Sequence, residues 1–149
     1  MLRLTNDVWA RMVAHCYDGL PLEACGLLGG DPARARASVC YPTDNTAASA
    51  RVYTVDPQGH LRADRDAEDR GLEIIGVFHS HTHTDAYPSE TDVRQAPDPG
   101  WHYVLVSLRD WVPVVRSYRI VDGAIAEEPV VIDGSGRPGK IAGGAEVLQ

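Results

Sequence analysis

The spacing of apolar positions predicts a helix near the N-terminus. Four apolar residues recur at i, i+3, i+4 and i+7, the pattern of one buried helical face: Trp9, Met12, Val13 and Cys16. Thr5 or Asn6 precedes them as a candidate N-cap, and Gly19 and Pro21 follow as stop signals. A charged stretch of mixed sign, residues 58–73, predicts a second helix with one solvated face.

Strand-length apolar segments occupy much of the remaining chain. The run at residues 73–81 is β-branched and nearly continuous until its polar end, which is typical of a central strand covered on both faces. Further strands are predicted at residues 22–30, 37–41, 51–55, 101–108, 112–121 and 124–132. The turn Asp122-Gly123 joins the last two as an antiparallel hairpin. Ser89 opens a short helix that must stop before Pro97.

Composition narrows the possible partners and the compartment. The 149 residues suit one domain, predicted over residues 1–132, and the five glycines after residue 132 predict a mobile tail over residues 133–149. A net charge of −7 without a basic stripe argues against nucleic acid or an anionic membrane surface as a partner. There is no apolar run of about 18 residues and no signal-peptide core, so we expect a cytoplasmic protein. Three cysteines without CxxC spacing predict reduced thiols.

Three potential metal ligands follow one another where the central strand ends. Residues i and i+2 of a strand point to the same face, so His79 and His81 project side by side. Asp92, on the first turn of the next helix, can bring a carboxylate to them. Two imidazoles and one carboxylate suit zinc better than magnesium or calcium, and they leave a fourth position for water. The sequence therefore predicts one catalytic zinc ion per chain.

Two further residues are candidates for the chemistry of hydrolysis. A zinc hydrolase needs a carboxylate that takes a proton from water and passes it to the leaving group. Glu23 is the only acidic residue within the apolar residues 20–30, where an unpaired carboxylate is costly. Ser89 can donate a hydrogen bond to a developing oxyanion.

These residues resemble the signature of the JAMM, or MPN-plus, zinc metallopeptidases. That signature is a distant Glu, then His-Ser/Thr-His, seven residues, Ser, two residues and Asp, and the chain matches every position. The resemblance assigns the zinc ligands to His79, His81 and Asp92, the oxyanion donor to Ser89 and the catalytic glutamate to Glu23. It implies an α/β, cytidine-deaminase-like MPN domain with a mixed β-sheet flanked by helices.

A bacterial branch of this family is also similar at residues 21–26, 87–89, 103–107 and 117–120. Its members act on small ubiquitin-like sulfur-carrier proteins of the CysO, ThiS or MoaD kind that end in Gly-Gly. They release cysteine, or a short C-terminal extension, for cysteine biosynthesis or sulfur transfer. The chain departs from the broader pattern at Thr82 and at the extra His83. His83 and Tyr87, on the loop beside the metal, are candidate substrate contacts, although His83 is also compatible with a solvated loop residue.

Simpler interpretations remain open for several of these residues. Ser89 and Asp92 have the spacing of a helix capping box, which needs no metal. Cys25 can be an inhibitory ligand, a redox switch or a buried core thiol, and the last is the commonest role for a free cysteine. The whole chain can be a non-catalytic MPN scaffold. An iron oxygenase also uses two histidines and a carboxylate, but its usual order places the acid between the histidines, whereas this chain has His-x-His first. The sequence does not predict the oligomeric state.

Overall fold

A computed structural model describes residues 1–133 and the backbone of residues 140–141 and 145–148. The elements are β1 (Leu2–Thr5), α1 (Asn6–Asp18), β2 (Cys25–Asp31), β3 (Arg36–Thr43), α2 (Pro57–Asp69), β4 (Glu73–His81), α3 (Glu90–Arg94), β5 (His102–Ser107), β6 (Val114–Val121), β7 (Ala124–Glu128), β8 (Val130–Asp133), β9 (Lys140–Ile141) and β10 (Ala145–Leu148). Their strands form one sheet in the order β7-β6-β5-β4-β2-β3-β1-β8-β10-β9.

The sheet is mixed and carries a hydrophobic core on each face. β4 pairs in parallel with β5 and antiparallel with β2. Neighbouring strand residues point to opposite faces, so Phe78 joins the core that includes the buried side of α1, whereas Val77 joins the core that includes Ala63 of α2. The predicted α/β class, with a mixed sheet flanked by helices, is confirmed.

The first helix forms as its sequence predicts. The side chain of Thr5 accepts a hydrogen bond from the backbone nitrogen of Val8, which satisfies one of the free N–H groups at the helix start. The helix ends at Asp18, with Gly19 as its C-cap. Its buried face includes Met12 and Cys16, both fully buried. Local spacing alone therefore accounts for α1.

Two strand predictions are wrong, one in its extent and the other in its existence. Residues 124–132 form two strands, because Pro129 lacks the N–H that a continuous ladder needs. β7 pairs with β6, whereas β8 leaves that edge and pairs in parallel with β1, a strand that the apolar pattern did not predict. Residues 51–55 form no strand; Val55 makes only an isolated bridge to Asn45.

Two further expectations concern the C-terminal tail and the presence of a membrane-spanning helix. The predicted tail, residues 133–149, contains β9 and β10, and β10 pairs in parallel with β8. The rest of that tail lies outside the described residues, so its mobility stays a prediction. Within the part of the chain that the structure describes, no helix combines the length and the apolar character needed to cross a bilayer.

Candidate active site

The pairing of β2 with β4 brings the start of one strand to the end of the other. Cys25 lies opposite His79, so the residues just before β2 lie beside the last residues of β4. Ser80 fastens this junction: its Oγ accepts a hydrogen bond from the Ala24 nitrogen at 2.9 Å, and its own nitrogen donates to the Ala24 carbonyl at 2.9 Å. Glu23 precedes β2 and is held next to both histidines, although the sequence placed it inside a strand.

Three of the predicted site residues converge on one small volume. The Nε2 atoms of His79 and His81 lie 3.2 Å apart. The Oδ2 atom of Asp92 lies 3.2 Å from the first of these and 3.0 Å from the second. All three side chains are buried. Glu23 completes the cluster, with its Oε1 atom 3.9 Å from His81 Nε2.

The spacing of these atoms fits a zinc ion. Neighbouring donor atoms of a tetrahedral zinc shell lie roughly 3.3 Å apart, given zinc–ligand distances of about 2.0–2.1 Å. The two imidazoles and the Asp92 carboxylate match that spacing. Glu23, His79 and His81 also place ligand atoms within 4.8 Å of one another. We favour Asp92 as the third ligand because its oxygen is closer to both histidines than the Glu23 oxygen is to His81.

The ring of His81 is oriented for such a role. Its Nδ1 lies 2.7 Å from the carbonyl oxygen of Asp85, and because a carbonyl can only accept, Nδ1 carries the proton. A neutral His81 would therefore offer the lone pair of Nε2 to a bound metal, whereas in the metal-free chain the same atom lies within hydrogen-bond distance of Asp92 Oδ2. His79 is held differently, since the ring of Tyr53 stacks on it with centroids 4.2 Å apart. Burial lowers the pKa of His79, which favours its neutral form.

Asp92 is both a helix-capping residue and a member of the cluster. Its nitrogen donates to Ser89 Oγ at 3.1 Å, and its Oδ2 accepts from the Ser89 nitrogen at 2.9 Å. Burial opposes its ionisation, but hydrogen bonds with His79 and His81 hold the pKa of Asp92 well below its usual range. The capping box is therefore present and is compatible with ligation, because it aims the carboxylate at the histidines.

One oxygen of Glu23 is buried without a partner. Among the described residues, nothing forms a hydrogen bond with Oε2. Burial raises the pKa of Glu23 from 4.5 to about 7, and His81 partly offsets this effect. A buried carboxylate oxygen without a hydrogen bond is costly unless a further group, such as a water on a metal, occupies the adjoining space. This orphaned oxygen agrees with the ligand spacing in favouring a metal and water site.

A loop that the sequence did not single out positions both the acid and one histidine. Asn45 Nδ2 donates to the Glu23 carbonyl at 3.0 Å and to the Val52 carbonyl at 3.1 Å. The Glu23 nitrogen donates to the Ser49 carbonyl at 2.9 Å, and Tyr53 supplies the ring that covers His79. Residues 42–45 have the composition of a loop, which carries no signal for these contacts.

The remaining candidates occupy three different places. A cleft of about 560 Å³ is lined by Glu23, Ala50, Arg51, His81, Thr82, His83, Thr84 and Ser89. His83 therefore lies where a substrate contact was predicted. Tyr87 instead lines a neighbouring recess and packs edge-on against Tyr118. Cys25 is fully buried in the core, and burial raises the pKa of its thiol to about 11, as the core-thiol interpretation predicts.

Comparison with known proteins identifies relatives of this arrangement. The family model described as prokaryotic homologs of the JAB domain matches residues 5–121. The CysO-cysteine peptidase of Mycobacterium tuberculosis is 44% identical over 131 residues, which is 87% of this chain and 90% of that protein. The desampylase of Haloferax volcanii is 33% identical over 111 residues, which is 71% of this chain and 80% of that protein.

Comparison with solved structures leads to the same family. A protein of Desulfitobacterium hafniense superposes with a TM-score of 0.81 at 37% identity, over 89% of this chain and 92% of that one. A JAB1/MPN domain protein of Archaeoglobus fulgidus superposes with a TM-score of 0.55 at 16% identity, over 87% of this chain and 98% of that one, and shows the fold alone. The chain thus belongs to the prokaryotic JAB family and has the JAB/MPN fold, as its motif predicted.

Proposed function

We propose that the chain is a zinc-dependent peptidase of the JAMM type. Its substrate is a small ubiquitin-like sulfur-carrier protein, and it hydrolyses the bond after the C-terminal Gly-Gly to release cysteine or a short C-terminal extension. The peptidase names of its relatives support the activity. The observation that carries the proposal is the triangle of His79, His81 and Asp92 donor atoms, 3.0–3.2 Å apart, beside an unpartnered oxygen of Glu23.

The metal would be held by His79 Nε2, His81 Nε2 and Asp92 Oδ2. Zinc bound by these residues would supply Lewis acidity, which would make water nucleophilic near neutral pH. The chain contributes the orientation of the ligands. The Asp85 carbonyl fixes the tautomer of His81, and the capping box fixes the carboxylate. Buried surroundings strengthen the electrostatic interactions among these groups.

Glu23 moves the proton in this scheme. Its free Oε2 is available to accept a proton from the attacking water, and the same carboxyl then delivers it to the departing amine. The Ser89 hydroxyl accepts the Asp92 backbone hydrogen bond, so its own hydrogen is available for the substrate carbonyl oxygen as that oxygen gains negative charge.

The cleft beside these residues suits an extended tail. Glycines lack side chains, so a Gly-Gly tail lets its backbone approach the buried cluster closely. His83 lines the same cleft, and we assign it a substrate contact. The described cysteines are free thiols, which suits a reducing compartment, and we place the activity in the cytoplasm.

The test combines metal analysis with cleavage of a carrier. CysO extended by a C-terminal cysteine is incubated with the zinc-loaded chain, and its mass is followed. We expect the mass of the carrier to fall by one cysteine residue. Metal analysis should find one zinc ion bound per chain of the enzyme. Glu23→Gln should lower the rate at least about 100-fold while zinc stays bound. Glu68→Gln, an exposed glutamate of α2, is the matched control and should cleave normally.

Three outcomes would contradict the proposal. Normal cleavage by Glu23→Gln would show that another group is the base. A zinc-loaded wild-type chain that leaves every Gly-Gly carrier intact would refute the substrate assignment. A chain that binds carriers but takes up no zinc would instead favour the non-catalytic scaffold.

A further inference from the structure

Large apolar side chains are exposed on two loops that contact each other, one of which lines the cleft. Trp111 is 98% exposed and Val112 51% exposed, both on the loop between β5 and β6. Tyr87, on the loop between β4 and α3, is 56% exposed. Single exposed apolar residues are ordinary, but a tryptophan with almost no packing, next to other exposed apolar side chains, is typical of a surface that contacts a partner.

The two loops are joined to each other and to the metal cluster. The Leu108 nitrogen donates to the carbonyl of His81 at 2.9 Å. Ser107 Oγ donates to the Thr84 carbonyl at 2.6 Å, and Arg109 forms an ion pair with Asp85 at 2.5 Å. The loop that carries Trp111 is therefore anchored to the segment that follows the second histidine, and its position relative to the cleft is defined.

A recess separates the two loops. Its volume is about 410 Å³, and its lining includes Tyr87, Asp110 and the ring of Tyr118. Tyr118 donates from its hydroxyl to the Ala86 carbonyl at 2.5 Å, and Tyr87 packs edge-on against it with centroids 5.6 Å apart. Tyr87 and Asp110 line this recess, and Trp111 and Val112 follow Asp110 on the same loop. We call Tyr87, Trp111 and Val112 the aromatic rim.

We propose that the aromatic rim is the docking surface for the folded body of the ubiquitin-like carrier. This inference rests on the proposed function. A carrier whose last residues lie in the cleft must place its body at the edge of that cleft, and the rim lies on the two loops that continue from His81 and Ser107. Tryptophan and tyrosine beside a recess are the residues that most often dominate protein interfaces. The rim thus selects a folded protein with an apolar patch, whereas the cleft selects the tail.

The test compares a whole carrier with its tail alone. The substrates are CysO with a C-terminal cysteine and a short synthetic peptide of the same C-terminal sequence. We expect Trp111→Ala to raise KM for the protein about 30-fold with kcat unchanged, and to leave the peptide unaffected. The conservative variant Trp111→Phe should keep the KM for the whole carrier close to the wild-type value. Leu61→Ala removes a 50% exposed side chain on α2 and is the matched control, which should behave as wild type.

A binding measurement gives a second readout that does not need turnover. The Glu23→Gln chain is titrated with the same carrier while tryptophan fluorescence is followed. Burial of Trp111 should shift the emission to shorter wavelength, and this shift should be absent when Trp111→Phe is added.

Several results would overturn the proposal. They are an unchanged KM for the protein, an equal loss with the peptide, or a fluorescence shift that persists without Trp111. A chain that dimerises in sedimentation, with the dimer abolished by Trp111→Ala, would show that a second copy covers the rim. If the wild-type chain cleaves neither substrate, the proposed function fails, and the titration still decides whether the rim docks the carrier.

Discussion

Replacing Asn45 tests whether the loop after β3 positions Glu23, the proposed proton carrier. Its amide makes four hydrogen bonds: Nδ2 donates to the carbonyls of Glu23 and Val52, and Oδ1 accepts from the nitrogens of Ala47 and Thr54. Each bond contributes about 1 kcal/mol, and less where water can replace it. Because half of these bonds are exposed, we expect Asn45→Ala to lower the free energy of unfolding by about 2 kcal/mol.

The effect on turnover should exceed the effect on stability. The Glu23 carbonyl loses its side-chain partner, so the carboxylate shifts relative to the histidines, and a displacement of about 1 Å can cost a factor of about 100 in rate. We therefore expect kcat to fall between about 10-fold and 100-fold, with KM and the zinc content unchanged. Urea denaturation, steady-state kinetics and metal analysis measure the three quantities.

Asn45→Asp separates the two halves of the amide. The aspartate keeps both acceptor bonds to Ala47 and Thr54 but loses the donor bonds, and it sets a charge against the Glu23 carbonyl. It should lose as much kcat as Asn45→Ala. A variant that unfolds more easily but turns over at the wild-type rate would refute the positioning role.

Two further predictions concern parts of the molecule away from the cluster. Burial of Glu128 is outweighed by hydrogen bonds with His102 and Ser117, which lower its pKa from 4.5 to about 2. A carboxyl group with a lowered pKa stabilises the folded state above pH 4.5, and this stabilisation is lost as the pH falls towards 2. Glu128→Gln should therefore lower the free energy of unfolding by up to about 3 kcal/mol at pH 7 and by little near pH 2, as measured by denaturant titration. A pH-independent cost would contradict this linkage. A Cβ atom at position 26 would lie 2.6 Å from the Tyr41 carbonyl oxygen. Gly26→Ala should therefore lower the Tm of thermal unfolding by about 5 °C. An unchanged Tm would show that the two strands do not approach so closely.

Local spacing was enough to predict several elements and the proximity of two candidate ligands. The period of an α-helix identified α1, and a nearly continuous β-branched run identified β4. The period of a strand placed His79 and His81 on one face. The interval from Ser89 to Asp92 is that of a capping box, which the structure forms. In each case the interacting groups are a few residues apart, so backbone geometry alone determines whether they meet.

The sequence did not predict the contacts between segments that are distant along the chain. The sequence predicted one strand across Pro129, and nothing local indicated that β8 would cross to β1. The placement of Glu23 against His81 depends on the register between β2 and β4, and the contacts of Asn45 and Tyr53 depend on how one loop folds over that junction. The sequence by itself determined which residues are candidates to bind a metal and to carry a proton. Only the tertiary structure decided which of them meet, because register and loop closure are set by burial of both faces of the sheet together and not by any single segment.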